Sequence, residues 1–411
     1  VRVGAIFDGT DSNLYFGRTE QFVPHPQPNI QDCYILCTDG MDRLARAEIN
    51  APSGGIYKNI LTGGPTGTTT ATGTGPIASI LTEAGWPATA RILDSGADVL
   101  DLWWVHKQKA LDSIRDLVDY ERSFFYIDEC GRAKYESRHY RLKTDRCTTS
   151  QYTFDESMVE LDYKFDSARV INVAHITGKK WTAKPSTYIW GLKDYLELNS
   201  SSTSTLWAVF SNPVSSGVLP TATQDWRAMT SAHVGGTDRT ADVAVTGTFF
   251  GQSCKLVISN TGTSNLFIVP GTSDPDETLR IQAEEYTDRE ETAYRIDTSS
   301  TGTYGVRSYA ITNQFQGNYN RLYGFAEGIV RQYGTPSVQN VRMRVINKDS
   351  TLQKQLLNRK LSDRVTVTAA ELGITTTDYY INKIEQWVND GGKTIVNDYY
   401  LEKANTTVYW R

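Results

Sequence analysis

Acid–base and metal chemistry need particular side chains at particular spacings, and this 411-residue sequence offers few of them. The five histidines, His25, His106, His139, His175 and His233, form neither HExxH nor HxE followed by CxxC, and no two share the helical spacing of a zinc site. His106 follows Trp103-Trp104 and reads as packed or exposed at a helix start. The five cysteines, Cys33, Cys37, Cys130, Cys147 and Cys254, include no CxxC pair. Cys33 and Cys37 lack the second pair or nearby His that would complete a zinc site, so all five read as reduced structural thiols of a reducing compartment. There is no GxSxG elbow and no Cys in a protease context. The Thr/Gly-rich stretch from Leu61 to Gly75 carries neither GxGxxG nor GxxxxGK, hence no phosphate cradle. The expectation is a chain with no catalytic, cofactor-binding or metal-binding residues, and not an enzyme.

Paired carboxylates are the remaining route to hydrolysis, since a glycosidase holds two of them ~5–10 Å apart across a cleft. Glu121 and Asp128 are such a pair in sequence, but they flank a helix end and a hairpin turn, where acids commonly serve structure. Asp39 and Asp42 read as turn and N-cap residues. Glu284, Glu285, Asp288, Glu290 and Glu291, interrupted by Arg289, read as a solvated face. The alternatives there are contact with a basic partner or weak cation binding without EF-hand spacing. Aromatic clusters at Trp103-Trp104, Trp181 with Trp190, Tyr379-Tyr380, Tyr399-Tyr400 and Tyr409-Trp410 could stack on sugars or bases. On alternating strands they read instead as core or subunit interface.

The whole chain sets the frame for these residues. Its length calls for two to four domains. Hydrophobic content of 39% and a mean hydropathy of -0.42 describe a soluble globular protein. No apolar run approaches the roughly 20 residues of a membrane span. With 23 Tyr against 4 Met and recurrent Thr and Ser, the composition suits strands and polar-aromatic surfaces. A net charge of -5 argues against a general nucleic-acid binder. An acidic chain could line a passage through which DNA slides, because like charge repels phosphate, although ordinary solubility explains the same charge. The sequence opens at Val1-Arg2-Val3, in a strand pattern with no Met or signal peptide, and is expected to lack a segment in front.

Residues 2–7 and 13–18 read as a hairpin across 8–12, and residues 32–37 as a further strand. Met41 to Ala45 reads as a short helical turn after Asp39. Pro76 opens a helix with Ile77, Ile80, Leu81 and Ala84 on its apolar face, closed by Gly85 and Pro87. Ala110, Leu111, Ile114, Leu117 and Val118 mark a longer helix, and residues 124–127 pair with 133–138 just after it. Strand signals recur at 161–163 and 169–173. Closely spaced short strands between Asn199 and Pro275 predict a small inserted sandwich. Leu322, Phe325, Ala326, Ile329, Val330 and Tyr333 predict a late helix over 320–333, with Gly334 as C-cap and Pro336 beyond. Strands at 341–345, 364–367, 379–388, 394–401 and 407–410, with a turn at 389–392, predict a closing antiparallel barrel.

The order of these pieces carries a resemblance. Gly85-Trp86-Pro87, then Ala110-Leu111-Asp112-Ser113-Ile114 with Glu121, then Tyr126 through Arg132 leading to Tyr135-Glu136-Ser137-Arg138-His139, resemble the tail-tip (baseplate) hub proteins of long-tailed bacteriophages and related phage-tail-like particles. Phe16-Gly17-Arg18, Asp39 with Leu44, Arg169-Val170-Ile171-Asn172-Val173 and Tyr304-Gly305-Val306-Arg307 are similar to further elements of that family. Arg364-Val365-Thr366-Val367, Tyr379-Tyr380-Ile381 and Tyr400-Leu401 through Trp410 look like its closing barrel.

The resemblance implies a mainly β fold with α+β parts, namely two hub-type antiparallel β-barrels and a helix-hairpin α+β unit, to which the strand spacing adds the inserted small β-sandwich. It divides the chain into a first barrel over 1–62, truncated at its start, a Thr/Gly-rich loop over 63–75 and a helix-hairpin unit over 76–150. A central β-rich body over 151–198 and 276–338, the sandwich over 199–275 and a second barrel over 339–411 complete it. It implies a homotrimer at the virion tail tip, assembled in the host cytoplasm. One side would meet the tail tube or distal tail protein, and the other the tail-tip fibre or spike. The lumen would hold the tape-measure protein and pass DNA without specific binding. The alternatives are a receptor- or carbohydrate-binding tail protein, to which the inserted sandwich is best suited, and a tail-associated cell-wall hydrolase.

Overall fold

A computed structural model describes residues 1–27, 30–63, 75–142, 144–155, 157–163, 170–232, 235–335, 340–389 and 393–404. The expected Thr/Gly-rich loop lies almost wholly outside these residues, as do the closing strand at 407–410 and most of the turn at 389–392.

The C-terminal part forms a six-stranded sheet in the order Tyr152–Phe154, Arg364–Ala369, Ile374–Asn389, Thr394–Lys403, Asn340–Ile346 and Met158–Tyr163. Its inner face is written in alternation: Val341, Met343 and Val345 are buried, as are Val365 with Val367, Tyr379 with Ile381, and Tyr399 with Leu401. The two edge strands are nearly consecutive in sequence, with only residues 155–157 between them. Laid flat, six strands would hold those edges ~24 Å apart. Four peptide links from Phe154 to Met158 reach at most ~14 Å. The sheet is therefore curled towards closure, although its edges do not hydrogen-bond to each other. Helix Ser350–Asn358 covers the curl with Leu352, Leu356 and Leu357, and Asp349 caps it by accepting from the Leu352 N–H at 2.9 Å.

The outer face of the same sheet carries an ion network. Asp398 is fully buried and accepts from Arg342 Nε at 2.8 Å, Arg344 Nε at 2.7 Å and Arg344 Nη2 at 2.9 Å. The same arginines reach Asp162 at 3.4 Å and Glu160 at 3.0 Å on the edge strand. Three adjacent strands are thereby laced together.

The strands of residues 1–62 depart from the expected first barrel. They hydrogen-bond as separate two-stranded ladders: Arg2–Phe7 with Thr10–Phe16, Arg18–Gln27 with Ile30–Thr38, Glu48–Ala51 with Val105–Lys109, and Tyr57–Leu61 with Val99–Trp103. The first hairpin turns on Asp8 and Gly9, both at positive φ (54° and 70°), the twist that a two-residue hairpin requires. Its Ala5, Phe7 and Leu14 pack on the core of the C-terminal sheet, and Asp8 pairs with Lys354 at 2.8 Å. The two ends of the chain thus share one core.

Between them, helices Met41–Arg46, Pro76–Glu83 and Ala110–Glu121 bury Leu44, Ile77, Ile80, Leu81, Ile114 and Leu117 against Trp103 and Tyr135. Hairpin Phe124–Ile127/Ala133–Glu136 follows directly, as its sequence predicts, and strand Arg91–Leu93 joins it in parallel. The central sheet is built on strand Thr278–Ile296. Its second half pairs with Val173–Ala183, which in turn pairs in parallel with Ser308–Asn313. Helix Tyr319–Tyr333 covers this sheet with Leu322, Ala326, Ile329 and Val330. The first half of Thr278–Ile296 contributes Leu279, Ile281 and Ala283 to the sandwich core, together with Ala208, Trp226, Leu256 and Ile268. The sandwich core thus draws on residues beyond 199–275.

The arginine pair holds the Asp398 carboxyl below its ordinary value of 3.8 although burial opposes this. Its stabilisation is present above that value and is lost as pH falls through the lowered one. Asp398→Asn should cost about 1–2 kcal/mol at neutral pH, discounted because the arginines are partly open to water. In denaturant titrations the gap to wild type should close at low pH.

Candidate functional site

The residues singled out for chemistry are placed by the fold at structural joints. Helix Ala110–Glu121 ends at Arg122 in the left-handed region (φ 50°), and Glu121 is fully buried. One carboxylate oxygen of Glu121 accepts from the backbone N–H groups of Ala97 and, at 3.2 Å, Asp98. The other accepts from the Tyr135 hydroxyl. Burial pushes up both the Glu121 carboxyl and the Tyr135 phenol. Asp128 folds the hairpin turn, accepting from the N–H of Cys130 at 3.0 Å and of Arg132 at 2.8 Å, and from Arg132 Nε at 2.8 Å. The cleft that reaches Asp128 is not lined by Glu121.

Asp39 accepts from the Met41 N–H at 2.9 Å at the start of its helix, and Asp42 pairs with Arg46 at 2.8 Å. The acidic run lies on strand Thr278–Ile296 and is largely tied to its neighbours. Glu284 accepts from Ser215 at 2.7 Å, Asp288 pairs with Lys179 at 2.7 Å and Glu291 with Arg289 at 3.4 Å. Among the described residues no group of three His, Cys, Asp or Glu is placed to hold a metal ion.

His106 sits in strand Val105–Lys109, not at a helix start, because the helix begins only at Ala110. Burial lowers its pKa. His175 lies against Tyr294 with ring centres 4.9 Å apart, while His233 falls outside the described residues. The buried Cys254 thiol is pushed up to about 12, whereas Cys33 and Cys130 are exposed.

The aromatic clusters fill cores. Trp103 stacks on Tyr57 at 5.7 Å, and Trp104 meets Trp181 edge-on at 4.9 Å. Trp190 packs on the sandwich core, and Tyr379 and Tyr399 are buried inside the C-terminal sheet. Tyr409 and Trp410 lie outside the described residues.

Sequence reasoning missed Arg141, which joins the helix-hairpin unit to the C-terminal sheet. Its guanidinium lies over Phe124 at 4.0 Å and Tyr380 at 5.0 Å, and it donates to Ser362 Oγ at 3.2 Å and Asn382 Oδ1 at 2.7 Å. Nothing in its local sequence marks it. A cavity of about 460 Å³ adjoins it, lined also by Arg122, Tyr333 and Glu402. A second cleft of about 400 Å³ runs between the first hairpin, the 124–136 hairpin and the C-terminal sheet.

The surface is distinguished by the arm Arg18–Gln27/Ile30–Thr38. It leaves Phe22 63%, Tyr34 65%, Ile35 51% and Leu36 54% exposed. Facing residues on paired strands share a side, so Phe22 with Ile35 lies on one face and Tyr34 with Val23 and Leu36 on the other.

No family model matches the chain, and no curated protein does. Among solved structures, the chain is similar to the 43 kDa tail protein of prophage MuSo2 from Shewanella oneidensis, with 10% identity and a TM-score of 0.47 over 97% of this chain and 80% of that one. It is also similar to the tail protein from Neisseria meningitidis MC58, with 10% identity and a TM-score of 0.48 over 98% of this chain and 83% of that one.

Because the Glu121 carboxyl is raised by burial above its ordinary 4.5, its contribution is fully present below that value and is lost as pH rises through the raised one. Glu121→Gln removes this dependence. Urea midpoints from pH 4 to 8 should show the variant gaining on wild type as pH rises, and parallel curves would contradict the assignment.

Proposed function

We propose that this chain is a structural subunit of a phage-type tail, at the tail-tip hub, acting as a homotrimeric ring. The ring would join the tail tube or distal tail protein to the tip fibre or spike. It would surround the channel that holds the tape-measure protein and passes DNA. One observation carries the reading: the elements that resemble hub proteins in sequence occur in that order in the fold. Helix Ala110–Glu121 runs straight into hairpin Phe124–Ile127/Ala133–Glu136, helix Tyr319–Tyr333 follows, and the strands of a curled, mostly antiparallel sheet come last. The placement of the carboxylates supports an assembly role over hydrolysis, since Glu121 and Asp128 hold a loop and a turn. The exposed apolar arm supports it too, because such surface marks protein–protein contact.

The test is labelling and mass spectrometry of purified tails. The chain should be found at one tail end at about three copies per particle. Its absence from tails, or its distribution along the tube, would overturn the reading.

A second reading, carbohydrate recognition by the sandwich, has its own observation. Trp207 is 39% exposed beside Phe250 at 5.6 Å, and Tyr195 is 55% exposed with its ring edge-on to Phe267 at 5.7 Å. On a glycan array, Trp207→Ala and Tyr195→Ala should each abolish any binding that the whole protein shows. Binding unchanged in both variants would remove this reading.

A further inference from the structure

The arm Arg18–Gln27/Ile30–Thr38 is hard to explain within one chain. A lone two-stranded hairpin is marginal in water, and this one exposes large apolar side chains on both faces. Its two edges differ. Pro24 and Pro26 remove backbone donors from the first strand, whereas the second strand contains no proline. Among the described strands, none pairs with the outer edge of Ile30–Thr38.

The same chain carries a cleft of suitable chemistry that the arm does not fill. Its apolar lining includes Leu14, Ile127, Leu356, Leu361 and Ile384, and its volume is about 400 Å³. The cations around it are already held: Arg132 by Asp128, Lys134 by Glu136, Arg359 by Asp363, Lys360 by Glu129 and Lys383 by Glu385. With their charges already paired, these cations offer a charged occupant little net attraction, so the charge pattern fits a nearly neutral one. Between Gln21 and Thr38 the arm has a single charged residue, Asp32. The exposure of Phe22, Tyr34, Ile35 and Leu36 shows that the arm leaves this cleft empty within its own chain.

We infer that the arm seats in the Leu14–Ile384 cleft of a second copy of this chain. A knob and a hole at different places on one chain make a head-to-tail contact, which closes into a ring at a fixed rotation. The inference rests on the ring proposed above for its symmetry, and on the arm and cleft alone for its contact.

Two measurements on the whole protein test it. Tyr34 is replaced by the photoactivatable p-benzoylphenylalanine, and these copies are mixed with copies carrying heavy nitrogen, so that links between copies are identified by mass. The expected links run from position 34 of one copy to peptides around 126–134 and 354–386 of the other. In parallel, Phe22→Glu with Ile35→Glu should weaken self-association about tenfold or more, as loss of buried anchors does. Both sites are exposed, so the fold should be kept, and circular dichroism checks it. Links confined to one copy, or to another surface of a stable oligomer, would overturn the inference while leaving the tail reading intact. A wild-type chain that stays monomeric at high concentration and gives no links between copies would overturn it too. The labelling of tails decides the tail reading separately.

Discussion

Strand Thr278–Ile296 is the constraint on which most of the molecule depends, because its 19 residues serve two cores in succession. Its first half buries Leu279, Ile281 and Ala283 in the sandwich, and its second half buries Ala293 beneath helix Tyr319–Tyr333. The two cores are therefore joined by one continuous strand at that junction. Leu192 and Trp190 on the neighbouring strand extend the same continuity back towards residue 187. A second constraint acts at the C-terminal sheet, where residues 155–157 tie together two edges that a flat sheet would keep apart. The first hairpin closes over that sheet, so both ends of the chain stabilise one core.

Much of this was legible from periodicity. Pro76–Glu83 and Tyr319–Tyr333 were set by apolar spacing and flanking Gly or Pro, Ala110–Glu121 by apolar spacing alone, and the 124–136 hairpin by Asp128 and Gly131. Helix Ser350–Asn358 escaped notice although Asp349 caps it, because its nine residues lie between strong strand signals. The separate ladders of residues 1–62 were also not legible: alternation shows that a segment is a strand, not which strand lies beside it. The seat of Met158–Tyr163 on the C-terminal sheet depends on pairing with Asn340–Ile346, about 180 residues away in sequence.

For the candidate residues, local reasoning was a good guide where the contacts are local. Asp39 and Asp128 act within a few residues of themselves, as their positions suggested, whereas Asp42 lies inside helix Met41–Arg46 and pairs with Arg46 instead of capping it. Glu121 anchors a loop 24 residues upstream, and Arg141 reaches a turn and a strand 221 and 241 residues away, so neither role could be read from neighbours. The arm shows the converse. Its apolar run is plain in the sequence and would suggest a core strand, yet the fold leaves it in solvent. The candidate carboxylates Glu121 and Asp128 are buried at joints of the fold, whereas apolar groups are left outside on the arm.

The central claim is that this surface exists for assembly at a tail tip. Cryo-electron microscopy of intact tails tests it most directly. The account predicts a closed ring of three copies around an open channel at one end of the tube, each arm buried against the next copy. Isolated copies hanging from the tail as separate appendages, with their arms in solvent, would contradict it.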